Sequence, residues 1–258
     1  MTDMLIDPSL DAAYEARARE EMAAWRAHVL RGPSAWDRAT RGVQDRINTA
    51  IPEKVHAVVT KAIEGMTQAI LTGSRFTSAR PVAVLSLQET EAKVRDQIGF
   101  YRTTASVEGG VAGAGGLLLA AADFPALMTL KVKMLFEIAA LYGHHGGDWR
   151  ERLYVLHIFQ LAFSSARHRP DVLQKLDDWI AGVNQPASLN DFAWRKFQLG
   201  YRDYIDLAKL AQLIPVIGAP VGAVVNYRLV DQLGRTATNA YRMRLFCEPL
   251  PRAPVVVS

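Results

Sequence analysis

The chain has 258 residues, half of them hydrophobic, with 30 basic against 26 acidic residues and a formal charge of +4. That apolar content excludes disorder as a description of the whole, and a mean hydropathy of +0.02 is far too low for a protein of many membrane spans. The isoelectric point near 9.2 permits an anionic partner such as a phospholipid surface, but no run of lysine and arginine and no nucleic-acid motif occurs, so no nucleic acid is expected.

The N-terminus carries Asp3 and Asp7 without an apolar stretch, which argues against a secretory signal. Asp7-Pro8 reads as a cap followed by a first-turn proline, and Ser9–Leu30, rich in Ala, Glu and Arg, as a helix. Gly32-Pro33 breaks it, and Ser34 caps a second helix to about Asn48; residues 1–50 thus form an N-terminal helical extension. Pro52 opens a third helix in which Val55, Val58, Val59, Ala62, Ile63, Met66 and Ile70 follow the spacing of a buried stripe, and Gly73 ends it. Residues 74–86 read as a loop with a short extended run at Val82–Leu85.

A polar helix from about Gln88 to Tyr101 leads into a glycine-rich apolar segment, read as two helices meeting near Asp123-Phe124-Pro125, the second running to Tyr142 and stopped by Gly143. Asp148 with Glu151 three residues on is a capping-box-like start for a helix to about Ala166. Arg169-Pro170-Asp171 breaks again, a short helix runs to Ile180, and Ala181 to Pro186 is a turn. Ser188 or Asn190 starts a long helix through Phe192, Trp194, Phe197, Tyr201 and Tyr204, a stripe that suits core packing or a lipid groove. It runs into a second apolar segment, and Pro249, Pro251 and Pro254 make residues 247–258 an extended tail. No strand alternation is sustained, so the fold class is all-α: a multi-helix bundle with two glycine-rich apolar helical hairpins.

Gly109 and Gly113 form G-x-x-x-G, Gly116 continues the small-residue spacing, and Gly218 and Gly222 repeat the device. Glycine within a helix costs roughly 1 kcal/mol relative to alanine, so such clusters imply that another helix approaches the backbone closely. The uncharged run 109–122 is too short to span a bilayer core, which needs about 20 residues. The run 210–227 reaches the lower edge of that length but is interrupted by Pro215 and Pro220. A tightly packed soluble core and a shallow or re-entrant membrane insertion both remain open. Arg228, Arg235 and Arg242 recur every seven residues, along one helix face with a slow drift. Beside an apolar hairpin they suit anionic headgroups; the plainer reading is a solvated face.

Two blocks carry a family resemblance. Glu108, the run Gly109–Gly116, Asp123 and Tyr142-Gly143 in one, and Ile214, Pro215, Gly218, Asn226 and Tyr227 in the other, resemble the EcsC protein family. The likeness covers roughly residues 55–245 and defines a helical domain over 51–246. It implies a bacterial, cytoplasmic or membrane-associated protein with a possible link to a transporter subunit, and it carries no catalytic residues over.

Motifs of chemistry are mostly missing. Cys247 is the only cysteine, which excludes an intramolecular disulfide and suits a reducing cytoplasm. There is no phosphate-binding P-loop, no H-E-x-x-H and no G-x-S-x-G; in Gly113-Ala114-Gly115-Gly116 the third glycine of a dinucleotide fingerprint is replaced by Leu118. No cofactor is expected. Glu108, Asp123 and Glu137 beside apolar helices, with His144 and His145 after the Tyr-Gly stop, are the candidates for acid–base or metal chemistry. Their bland readings are a helix cap for Asp123, an i, i+4 pair of Lys133 with Glu137, and an exposed loop for the histidines. The leading expectation is a non-enzymatic accessory protein that touches the inner membrane or lipids through residues 109–122 and 213–225. The rivals are a hydrolase or peptidase using the carboxylates, with or without metal, and a soluble protein-interaction module.

Overall fold

Gly143 and Asp148 act as the stop and the cap that the sequence marks them to be. The computed structural model describes residues 8–31, 53–72, 85–114, 116–183 and 219–247, which form helices α1 (Pro8–Leu30), α2 (Glu53–Thr72), α3 (Leu87–Ala114), α4 (Gly116–Leu141), α5 (Trp149–Phe163), α6 (Arg169–Ile180) and α7 (Ala219–Cys247). No strand occurs among the described residues, and the all-α reading holds. Ser86 and Glu89 cap α3 reciprocally: the Glu89 N–H donates to the Ser86 hydroxyl at 3.2 Å and the Ser86 N–H to the Glu89 carboxylate at 3.0 Å. Asp148 caps α5 by accepting from the Arg150 N–H at 2.9 Å. At the end of α4 the Gly143 and His144 N–H groups return to the Ala140 and Ala139 carbonyls, a geometry that puts Gly143 at φ +84° and so favours glycine.

One break lies elsewhere than the sequence suggests. Pro125 does not separate two helices but sits inside α4, and α3 and α4 meet ten residues earlier, between Ala114 and Gly116. Asp123 therefore lies inside α4 rather than at a helix start. A proline inside a helix removes one hydrogen bond and crowds the preceding turn. Here the ring is exposed, while Leu127, Met128, Val132, Met134 and Leu135 just beyond it are buried, and that burial holds the helix through the defect. The expected helix at 34–48, residues 82–84 of the expected extended run at Val82–Leu85, the long aromatic helix from residue 188 and the tail beyond Cys247 lie outside the described residues.

α7 is the axis of the bundle. It packs most extensively on α3 and also touches α1, α4, α5 and α6, while α2 covers α4 and α5. α1, within the expected N-terminal extension, buries Tyr14, Ala18 and Val29 against α3, α6 and α7. Its Arg26 clasps Asp177 of α6 through a two-pronged ion pair. α3 and α7 run antiparallel, as the pairs Glu91–Arg242, Ile98–Gly234 and Arg102–Asp231 show. The register of these pairs sets the end of α3 and the start of α7 at one end of the bundle.

Close helix approach is visible at Gly234, a glycine outside the two glycine-rich segments. A Cβ there would stand 2.7 Å from two side-chain carbons of Ile98 and 2.9 Å from a third. Since one of those atoms is the branch methyl, no simple rotation clears the space. Gly234→Ala should therefore lower stability by up to about 2 kcal/mol, the overpacking cost of about 1–3 kcal/mol less the ~1 kcal/mol gain in helix propensity. The check is a double-mutant cycle in denaturant: in an Ile98→Ala background the same substitution should become neutral or stabilising.

Candidate functional site

The polar centre of the bundle begins with a carboxylate on an apolar stripe. Along α3 the residues turned inward include Glu91, Val94, Ile98, Tyr101 and Ala105, a helical repeat with an acid in it. Glu91 is 1% exposed. Arg242 of α7 meets it bidentately, Nε to Oε1 at 2.7 Å and Nη2 to Oε2 at 2.6 Å. The Tyr14 hydroxyl donates to Oε2 at 2.7 Å and the Tyr142 hydroxyl to Oε1 at 3.1 Å. The third guanidinium nitrogen of Arg242 reaches Glu21 of α1 at 2.9 Å. Burial pushes the Glu91 carboxyl up, but the hydrogen bonds from Arg242, Tyr14 and Tyr142 and the charge of Arg242 together hold it below the ordinary glutamate value.

An aromatic stack joins this centre to a second one. Tyr142 lies parallel to Tyr241 with ring centroids 5.2 Å apart, and His144 stacks on the same Tyr241 at 5.4 Å. The Tyr241 hydroxyl donates to Glu151 at 2.5 Å, and Arg244 binds the other oxygen of Glu151 at 2.5 Å. For Glu151 burial is the dominant influence and raises its pKa despite Arg244 and Tyr241. His144 stands 3.9 Å from Glu151, yet burial first, then Arg244 and His145, lower its pKa to about 4. At neutral pH it is uncharged, and the contact is not an ion pair.

Outside these centres α7 forms the wall between two clefts. One, of about 490 Å³ between α1, α3 and α7, is lined by Arg17, Arg95, Arg102, Arg235 and Arg242 together with Glu21, Glu91, Asp231 and Asn239. The other, of about 450 Å³, includes Trp25, His28, Tyr227, Arg228 and Arg235. Asp231 lines both, accepting from Arg102 and from Arg235 at 2.8 Å each.

The structure divides the arginine row. Arg228 and Arg235 are exposed and share the second cleft, whereas Arg242 is 6% exposed and committed to Glu91 and Glu21, so it does not belong to a surface face. Two heptads of drift rotate it into the side of α7 that α1 and α3 cover. Glu137 accepts from Gln97 and from the Tyr101 hydroxyl, the latter at 2.9 Å, with Lys133 at 3.8 Å. It is held in a structural network between α3 and α4. The side chains of Glu108 and Asp123, the surroundings of Gly109, Gly113, Gly116 and Gly222, and the whole of Gly218 lie outside the described residues. His145 is exposed, while His144 is turned into the aromatic stack, so the two histidines do not converge. Among the described residues no three His, Cys, Asp or Glu side chains stand together as a metal site. Sequence reasoning passed over Glu91, Arg95 and Gly234, and read Glu151 only as a capping-box acid. The available signal was an acid in register with Val94, Ile98 and Tyr101.

Comparison with known proteins agrees with the resemblance and extends it. The model of the EcsC protein family matches residues 16–246, reaching back into α1, well before the blocks that suggested it. Protein EcsC of Bacillus subtilis (strain 168) is 40% identical over 230 residues, covering 89% of this chain and 95% of that protein. The uncharacterized protein YdbA of the same organism is 26% identical over 240 residues, covering 83% of this chain and 87% of its own. No solved structure matches.

Two outcomes follow from the buried charges. Arg242→Met alone, which leaves Glu91 unpaired in the core, should cost on the order of 3–5 kcal/mol in urea unfolding, and pairing it with Glu91→Leu should restore a large part of the loss. His144 and His157 are both depressed from 6.5 to about 4, in each case chiefly by burial. Unfolding exposes them to protons, so their contribution is intact above pH 6.5 and falls as the pH drops towards 4. The slope is up to ~1.4 kcal/mol per pH unit per histidine. Replacing His157 by leucine should flatten that decline, as read from melting temperatures between pH 7 and pH 4.

Proposed function

We propose, from the premise that this chain belongs to the EcsC protein family, that it is a non-enzymatic accessory protein of the bacterial cytoplasm that docks on an anionic membrane surface with one end of its bundle. The observation that carries the reading is a mixed apolar and cationic patch. Val107 of α3 and Val224 and Tyr227 of α7 are large, apolar and exposed, and Arg228 stands beside them. The antiparallel register of α3 and α7 brings this patch to the end of the bundle where α3 stops and α7 starts. The described parts of both glycine-rich segments, at the end of α3 and the start of α7, border that end.

The physics favours surface contact over spanning. No helix among the described residues is long and apolar enough to cross a membrane. Valine and tyrosine side chains are suited to the boundary between headgroups and acyl chains. Each arginine near such a surface contributes on the order of 1 kcal/mol. The cations of this contact are Arg228 and Arg235, which reach solvent, and not Arg242. A transporter subunit as a further partner rests on the family resemblance alone, and co-purification from membranes is its test.

The protein should float with vesicles rich in phosphatidylglycerol at low ionic strength and be released by high salt. Arg228→Glu with Arg235→Glu should weaken partition at least about tenfold, and Val224→Asp with Tyr227→Asp comparably. Recovery of the wild-type protein at the bottom of the gradient at low salt sinks the proposal.

A further inference from the structure

The larger cleft, between α1, α3 and α7, is a charged chamber rather than a greasy one. Five arginines line it against three carboxylates, a surplus of two positive charges. The pairings inside it are uneven. Arg242 takes Glu91 and Glu21, while Arg102 and Arg235 divide the single carboxylate of Asp231. Arg95 donates only to the Tyr14 hydroxyl, at 3.1 Å, and meets no carboxylate among the described residues.

Two buried atoms in the lining have unused hydrogen-bonding capacity. Among the described residues the Arg102 Nε is a buried donor without an acceptor, and the Asn239 Oδ1 a buried acceptor without a donor. Asn239 is 9% exposed, and its amide nitrogen is already spent on the Arg235 carbonyl at 2.9 Å, which fixes the oxygen as the free end. Buried polar atoms of this kind are ordinarily satisfied, so each marks a place where a partner belongs. The chamber, at about 490 Å³, has the size of a small-molecule site.

We infer that this cleft binds a phosphomonoester that also carries a hydroxyl group, a polyol phosphate either free or at the end of a lipid headgroup. A phosphomonoester holds about −1.5 to −2 charges at neutral pH, which matches the surplus. Guanidinium groups recognise phosphate through paired N–H donors, and Arg95 and Arg102 supply them from one face of α3. A ligand hydroxyl donates to the Asn239 Oδ1, which the dianionic phosphate group of an ester, having no proton to donate, does not satisfy. The inference does not depend on membrane docking: Arg235 belongs to both surfaces, but Arg95, Arg17 and Asn239, on which the test turns, lie outside the docking patch, and a soluble ligand tests it.

Titration calorimetry of the full chain at low ionic strength is the test, with glycerol 3-phosphate, inorganic phosphate and succinate as probes. Glycerol 3-phosphate should bind saturably and more tightly than either of the others. Arg95→Gln, and independently Arg17→Gln, should weaken it, the former at least about tenfold. Asn239→Leu should weaken glycerol 3-phosphate while leaving inorganic phosphate unchanged. Thermal melts of each variant separate loss of binding from loss of fold. Flotation with vesicles bearing phosphatidylglycerol phosphate identifies the source. Binding to them that free glycerol 3-phosphate displaces assigns the site to a headgroup, and binding of the free compound without vesicle capture assigns it to a soluble metabolite. No saturable binding of either phosphate, equal binding of succinate, or indifference to Arg95→Gln overturns the inference.

Discussion

The bundle is organised by one ion pair. Glu91 and Arg242 lie on the two most extensively packed helices, and every lone-pair direction of the carboxylate is occupied: one oxygen accepts from Arg242 and Tyr142, the other from Arg242 and Tyr14. Removing two charges from water is costly, and their attraction offsets that cost only when the remaining hydrogen-bonding capacity is satisfied. Here it is. The same four side chains come from α1, from α3, from the turn closing α4 and from α7, so satisfying the carboxylate requires all four elements to be in place. Sliding α7 by one turn along α3 would leave a bare carboxylate in the core. Gly234 sets how near the two helices stand, and the ion pair sets their register.

Glu151 shows the same chemistry with a different balance. It too has an arginine and a tyrosine, but one guanidinium nitrogen and one phenol replace a bidentate pair and two phenols. Its burial is not overcome, and its pKa rises where that of Glu91 falls. Tyr142 and Tyr241, stacked between the two centres, each donate to one of the carboxylates, so the position of the stack is fixed from both ends.

Much of the fold is legible in the sequence because it is written locally. Gly143, the Asp148 cap, the Arg169-Pro170 start and the stripe Ala62, Ile63, Met66, Ile70 of α2 all behave as their residue types dictate. The failures come where tertiary packing decides. Asp123-Phe124-Pro125 has the chemistry of a helix start, but the buried run beyond it continues the helix. Glu151 has the spacing of a capping-box acid but turns inward to Tyr241 and Arg244, which are distant in sequence. The site is harder still. Glycines attract notice in clusters, yet the close contact that is visible uses a solitary one, because what makes Gly234 necessary is Ile98 on another helix.

The arginine row shows how one helix serves the core and the surface together. Arg228, Arg235 and Arg242 are equally spaced, but an α-helix advances about 20° per heptad relative to a strict seven-residue repeat. On an isolated helix that drift would be inconsequential. On α7, covered by α1, α3, α4, α5 and α6, the uncovered strip is narrow, and the third arginine passes out of it. Arg235 is left as the middle member, on the ridge between the two clefts and tied by Asp231 to Arg102. Asp231, with one oxygen for each guanidinium group, thus ties α3 to α7 and holds Arg235 on its own helix, in the register that Glu91 and Arg242 impose.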